Sequence, residues 1–356
     1  MEIACLAGIT PWKRARLRAF FSSKPPIRNR AKAAVAIARA RGGAVACWAS
    51  RVPPGLNECA AAAGVPVFTI EDGFIRSRGL GAALTLPASI VVDRSGIHFD
   101  PSRPSDLETL LQERSFPAAM LDRAARLIDA LRAHGITKYN LGGLPIALPG
   151  GQRVVLVAGQ VEDDRSMLLG GAAVGSMLAL LRAARAMERD SFIIYKPHPD
   201  VVAGLRSGGV DDAALLAHAD LIVPDADLPD LLDRVDAVHV CTSLTGFEAL
   251  LREREVIVHG QPFYAGWGLT RDVRTVSRRT RHLSLAELVA GTLIAYPRYV
   301  DPVTGTRCEV EQVVARLVAG NDKKISALGD FAARAAALYA RRRFGPRRPA
   351  PVMGTE

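Results

Sequence analysis

The chain has 356 residues, of which 49% are hydrophobic and 23% charged, with 31 Gly and 22 Pro. That length predicts two domains, each able to bury a core of its own, and the composition excludes a fibrous or mainly disordered protein. The formal net charge is +10, but residues 1–30 supply +6 and residues 321–356 supply +5, which leaves the body between them at −1. With 6% aromatic residues and no basic reading face, nucleic acid is not the expected partner. Basic ends on a neutral body fit peripheral contact with an anionic inner-membrane surface at least as well. No run of about 18 apolar residues and no leader-like opening is present, so neither a spanning helix nor a secretory signal is expected. The five cysteines form no CxxC pair, which predicts reduced thiols and a cytoplasmic location.

In chain order, apolar runs predict strands over Glu2–Ala7, Ala44–Ala49, Val65–Ile70 and Ser89–Val92. Helical spacing marks Ala31–Arg41 and Pro117–His134 between and after them. Gly135–Gly151 holds five Gly and two Pro and has no helical period, so it reads as a linker. A second alternating series follows it. Strands are expected over Arg153–Ala158, Phe192–Tyr195, Ala237–Cys241 and Val256–His259. Helices are expected over Ala172–Met187, Asp212–Ala217, Thr245–Arg252 and Ser284–Ile294. The expected organisation is α/β, with an acceptor-side lobe over 1–145, a nucleotide-side lobe over 146–320 and a basic tail over 321–356. In that tail, apolar groups from Ile325 to Tyr339 fall on one helical stripe flanked by Lys and Arg, a pattern shared by membrane-surface helices and by helices that pack back on a lobe.

Polar clusters follow the strand ends, where side chains of parallel strands converge on a crevice. The first, Glu71-Asp72-Gly73-Phe74-Ile75-Arg76, can supply a general base and an anion clamp, or form a turn with a local Asp–Arg pair. The second runs from Gly159 through Gln160 to Ser166 and holds three consecutive carboxylates, Glu162, Asp163 and Asp164. Such a run is costly unless one carboxylate is used or all are solvated at a helix start. In the third, two prolines stiffen Lys196 and His198, both able to donate to a phosphate, although a stiff turn has the same form. The fourth, Thr242, Ser243, Gly246 and Glu248, suits phosphate and ribose hydroxyls as well as ordinary helix capping. The fifth, His259 to Gly268 with Gln261 inside it, suits a stacking wall or an ordered surface loop. GxGxxG, GxxxxGK[ST], HExxH and GxSxG patterns are absent, so dinucleotide, P-loop, zinc and α/β-hydrolase chemistry are not supported.

Taken together, EDGFIRSRGLG, SIVVDRSGIHFDPSRPSDLE, GITKYNL, GQVEDDRS, YKPHPDV, TSLTGFEALL, HGQPFYAGWGLT and YPRYVDPVTG resemble the KpsC/KpsS-type capsule polysaccharide proteins, retaining β-Kdo glycosyltransferases. Larger members carry two such modules, and this chain is long enough for one. The resemblance implies a GT-B fold, two Rossmann-like lobes with the active site in the cleft between them, and CMP-Kdo as donor, with no further cofactor and no metal. It implies Asp164 as nucleophile and Glu71 as acid/base, with Lys196, His198 and Ser243 on the CMP phosphate and Glu248 on the ribose. Gln160, Arg76, Thr242, Gly246 and Gln261 complete the expected substrate contacts. The implied acceptor is a lipid-linked glycan or an oligosaccharide. Two alternatives stay open: a non-catalytic export or scaffold protein, and a transferase of another CMP-activated 2-keto sugar acid.

Overall fold

Short runs of β-branched and small apolar residues bounded by polar turns build two sheets. In the computed structural model, which describes residues 1–320 except 82, 83, 172, 207 and 208, the first lobe begins with β1 (Ile3–Ala7), β2 (Ala44–Trp48), β3 (Val67–Asp72) and β4 (Ser89–Asp93). The second lobe holds β5 (Val154–Ala158), β6 (Phe192–Lys196), β7 (Leu221–Ile222), β8 (Ala237–Val240), β9 (Glu255–Val258) and β10 (Arg271–Asp272). The chain then adds β11 (Arg298–Val300) and β12 (Arg307–Cys308). The tail expected over 321–356 lies outside the described residues.

All five residues of β1, β2 and β5 are buried, as strands covered by helices on both faces require. The second sheet is parallel throughout, in the order β10-β9-β8-β5-β6-β7. Its strand order therefore turns back between β5 and β8, which places a crevice outside their carboxyl ends. The first sheet runs β1-β2-β3-β4-β11-β12 and is mixed: β1, β2 and β3 are parallel, whereas β4, β11 and β12 join antiparallel.

The crossing back of the chain corrects the expected lobe boundary. Residues 298–308, assigned by sequence pattern to the second lobe of 146–320, pair with β4 and extend the first sheet. Helix Val310–Val318 likewise packs on Ala118–Ala133, the long helix of the first lobe. Runs of two or three residues such as RYV and RC carry too little period to be read as strands. The helix expected over Ser284–Ile294 is α-helical at Leu285–Val289, opened by a Ser284/Glu287 capping box, and continues as a π-helical turn over Ala290–Ala295. The helix expected over Ala172–Met187 starts later, at Met177, where the Ser176 side chain accepts from the Ala179 N–H. A separate short helix, Arg165–Gly170, stands before it and begins directly after Asp164. Residues 135–151 contain no helix or extended strand and link the lobes. Helices Leu56–Ala62, Asp106–Glu113 and Leu228–Arg234 were not evident in the sequence pattern.

Candidate active site

A cleft of about 1370 Å³ lies between the lobes, lined by the carboxyl ends of β3, β5, β6 and β8 and by residues 135–144 of the linker. On the second-lobe wall, Gly159 ends β5 where any side chain would collide: a Cβ there would lie 2.8 Å from the Tyr195 hydroxyl and 2.9 Å from the Lys196 carbonyl. The next residue, Gln160, spans to the end of β8, and its side-chain amide donates to Thr242 Oγ1 at 3.0 Å while accepting from the Thr242 N–H at 2.8 Å. Asp164 is exposed on the same wall, at the N-cap of Arg165–Gly170, and its Oδ2 accepts from the Ser166 hydroxyl at 2.8 Å. Asp163 beside it is bonded instead to Arg206, at 2.8 Å.

His198 caps a short helix by accepting the Asp200 N–H on Nδ1 at 3.1 Å. Burial, with the charge of Lys138 adding to it, lowers its pKa to about 4. The ring is therefore neutral at ordinary pH and carries its proton on Nε2. Burial also depresses the Lys196 ammonium, which donates to the Pro224 carbonyl at 3.0 Å. Ser243 caps helix Leu244–Leu250 by accepting from the Thr245 N–H at 3.2 Å, and Tyr264 bonds its carbonyl from behind.

On the first-lobe wall, β3 ends in two adjacent carboxyls with different environments. Burial, reinforced by the negative charge of Asp72, raises Glu71 to about 7. Burial works against the Asp72 charge as well, but Arg76 and Lys13 outweigh it and hold that carboxyl below its ordinary value. Arg76 donates to Asp72 at 2.8 Å, and the Lys13 ammonium lies 3.8 Å from Asp72 and 3.7 Å from the Trp48 ring centroid. The linker joins the two walls: the Lys138 N–H donates to Glu248 Oε1 at 2.8 Å, and the Lys138 carbonyl accepts from the N–H groups of Arg76 and Ser77. Burial raises Glu248 to about 7.

Glu71, Gln160, Asp164, Lys196, His198, Thr242, Ser243 and Glu248 thus line one cleft, as expected. Three expected contacts do not. Arg76 is fully buried, with its guanidinium committed to Asp72, Ser77 and the Thr85 carbonyl, so it braces the β3 turn rather than clamping a ligand. Gly246 lies under the Tyr264 ring, where its missing side chain is a packing requirement. Gln261 bonds the Thr275 carbonyl and the Gly170 carbonyl, away from the cleft.

Other lining residues had no separate signal. Lys13 and Arg16 count among the basic residues of the N-terminus, yet Lys13 faces the cleft and Arg16 donates to the carbonyls of Asp301 and Pro302. His98 stands among Phe74, Phe99 and Phe263 with Nδ1 buried and without a hydrogen-bond partner among the described residues. Lys138 lies within the segment GITKYNL, which carried resemblance but no assigned role. Among the described residues no group of three or more His, Cys, Asp or Glu side chains could hold a metal ion, and no helix is long and apolar enough to cross a membrane.

Comparison with known proteins places this cleft in context. The family model described as capsule polysaccharide biosynthesis protein matches residues 43–299. The chain belongs to that family. It is 39% identical over 325 residues to the lipopolysaccharide-processing protein LpsZ of Rhizobium meliloti, an alignment covering 88% of this chain and 74% of LpsZ. It is 45% identical over 257 residues to the capsule polysaccharide modification protein LipA of Neisseria meningitidis serogroup A, covering 71% of this chain but only 36% of LipA. Two solved structures share the fold over nearly all of their length. The Thermosulfurimonas dismutans KpsC β-Kdo 2,7 transferase is 33% identical, covers 90% of this chain and 100% of its own, and superposes with a TM-score of 0.75. The KpsC β-Kdo 2,4 transferase of the same organism is 31% identical, covers 89% and 99%, and superposes with a TM-score of 0.77. The two-lobed architecture is that of GT-B glycosyltransferases.

Proposed function

We propose that this chain is a retaining glycosyltransferase that moves β-Kdo from CMP-Kdo to a glycan or glycolipid acceptor in capsule or other surface polysaccharide synthesis. The observation that carries the reading is the division of labour across the cleft. An exposed Asp164 carboxylate, steadied by Ser166, stands on one wall, and a Glu71 carboxyl with a pKa near neutrality stands on the other. Its likeness to the two KpsC transferases supports the sugar assignment.

In the first displacement, an Asp164 oxygen attacks the anomeric C2 of Kdo, and the bond from C2 to the phosphate oxygen breaks, the electron pair leaving with CMP. The neutral His198 donates from Nε2 to the departing phosphate, and Lys196 with the N–H groups behind Ser243 adds positive potential. In the second, the acceptor oxygen attacks C2, the Asp164–C2 bond breaks, and Glu71 takes the acceptor proton. Two inversions give net retention. The basic residues in the sequence of the chain ends fit an enzyme working beside an anionic inner leaflet on a lipid-linked acceptor.

The test pairs turnover with intact mass. Wild-type protein with CMP-Kdo should release CMP and gain one Kdo, mapping to Asp164, while Asp164→Asn loses both and Asp163→Asn keeps the adduct. Normal turnover by Asp164→Asn ends the mechanism, and a chain that binds CMP-Kdo without ever releasing CMP marks a non-catalytic binding protein.

A further inference from the structure

Lys138 differs from the other cations of the cleft. Lys13 is paired with Asp72, Arg165 donates to the Ala49 carbonyl, Lys196 to the Pro224 carbonyl and Arg206 to Asp163, while Arg78 is exposed at the rim. The half-buried Lys138 ammonium has no hydrogen bond or ion pair with any described residue and stands 5.3 Å from the centre of the Tyr139 ring. Burial opposes the Lys138 charge, but Tyr139, Asp72 and Glu71 outweigh it and hold the ammonium in its charged form, so its N–H donors stay charged and unbonded and can take an anion that arrives.

The root of this side chain is fixed from both lobes. Its N–H is held by Glu248 of the second lobe, and its carbonyl by the N–H groups of Arg76 and Ser77 in the first. The ammonium is also a centre of the cleft's field: it favours the ionised forms of Glu71, Asp72 and Glu248 and opposes protonation of His98 and His198. Because that charge acts on both His198 of the phosphate side and the Glu71 acid/base carboxyl, it reaches the place between them in the cleft. In a 2-keto sugar acid the anomeric carbon carries both the leaving oxygen and a carboxylate, so that carboxylate must lie in the same place.

Resting on the transferase reading above, we propose that Lys138 binds the anomeric carboxylate of the donor and so selects 2-keto sugar acids over neutral sugars. The charge-assisted bond forms only with the sugar, not with the nucleotide, and this separates its effect from that of His198.

The test uses Lys138→Met and Lys138→Gln in the full chain, both of which leave the backbone bonds of residue 138 in place. CMP affinity by calorimetry should stay within about twofold of wild type, while KM for CMP-Kdo rises by about tenfold or more in each variant that folds. Lys138→Arg should recover part of the loss. Equal weakening of CMP and CMP-Kdo would place Lys138 on the phosphate and overturn the assignment, and so would an unchanged KM. A wild-type chain that neither binds nor consumes CMP-Kdo would sink the transferase reading and this assignment with it. Wild-type turnover with unaltered Lys138 variants would sink this assignment alone.

Discussion

Gln160 and Thr242 are bonded to each other twice across the carboxyl ends of β5 and β8, the side-chain amide of Gln160 donating to the hydroxyl and accepting the backbone N–H. This is where the strand order of the second sheet turns back; β5 and β8 pair side by side as far as Val157 and His239, and the Gln160–Thr242 bonds carry that register on into the two loops beyond. Gln160 therefore holds Asp164 on one loop in register with Ser243 on the other, and its effect on substrate runs through that brace. Removing it leaves the Thr242 N–H without its acceptor, at a cost of about 1–3 kcal/mol. Gln160→Ala should lower the melting temperature without ligand and weaken CMP binding as the Ser243 loop loosens. A variant that loses CMP affinity at unchanged melting temperature would make Gln160 a direct ligand instead.

The two-lobed order of strands, the linker and the polar clusters at strand ends were legible because each rests on local pattern: apolar runs such as VVLVA, Gly and Pro density over 135–151, and charge directly after a strand. What was not legible depends on contacts between distant segments. The Glu71–Arg76 cluster could be read as a base with an anion clamp or as a turn with a local Asp–Arg pair, and only the packed fold decides for the pair, turning the Arg76 guanidinium inward on Asp72, Ser77 and Thr85. Lys13 looked like surface charge until Trp48 and Asp72, 35 and more residues away, came to stand beside it. The return of residues 298–308 to the first sheet is likewise a tertiary choice that short strands cannot announce.

The Nδ1 of His198 is occupied by the Asp200 N–H, so any ligand bond must come from Nε2 as donor. A hydrogen bond to a charged phosphate contributes about 1.5–3 kcal/mol, or roughly ten- to a hundred-and-fifty-fold in affinity. His198→Ala should weaken CMP by that factor in calorimetry, with a melting temperature only slightly lowered by the lost cap. Unchanged affinity would move the nucleotide phosphate off this loop.

Glu248 offers a separate check through stability. Its native pKa, raised by burial from the ordinary 4.5 to about 7, means that the folded state holds its proton more tightly than the unfolded chain. The stability this contributes is complete below pH about 4.5 and is lost as pH rises through about 7. Glu248→Gln keeps an oxygen for the Lys138 N–H but does not titrate. Its melting temperature relative to wild type should therefore climb between pH 5 and 8, flattening above that range. A gap that stays constant across the series would show that the carboxyl is not held neutral by its surroundings.

The acid/base assignment makes the sharpest prediction, because two neighbours push Glu71 in opposite directions. Acceptance of the proton in the second displacement requires the Glu71 carboxylate, so kcat should fall as pH drops through about 7. The Asp72 charge raises that value and the Lys13 ammonium lowers it. Asp72→Asn removes a negative neighbour and releases Lys13 and Arg76 from their partner, so the inflection should move to lower pH. Lys13→Met removes the cation 3.8 Å from Asp72 and should move the inflection to higher pH, and it keeps the test open if burying an unpaired Arg76 prevents Asp72→Asn from folding. Glu71→Gln should lose roughly a hundred- to ten-thousandfold in kcat and show no inflection at all. Measured pH–rate profiles in which both neighbour variants keep the wild-type inflection would mean that Glu71 is not the group that titrates.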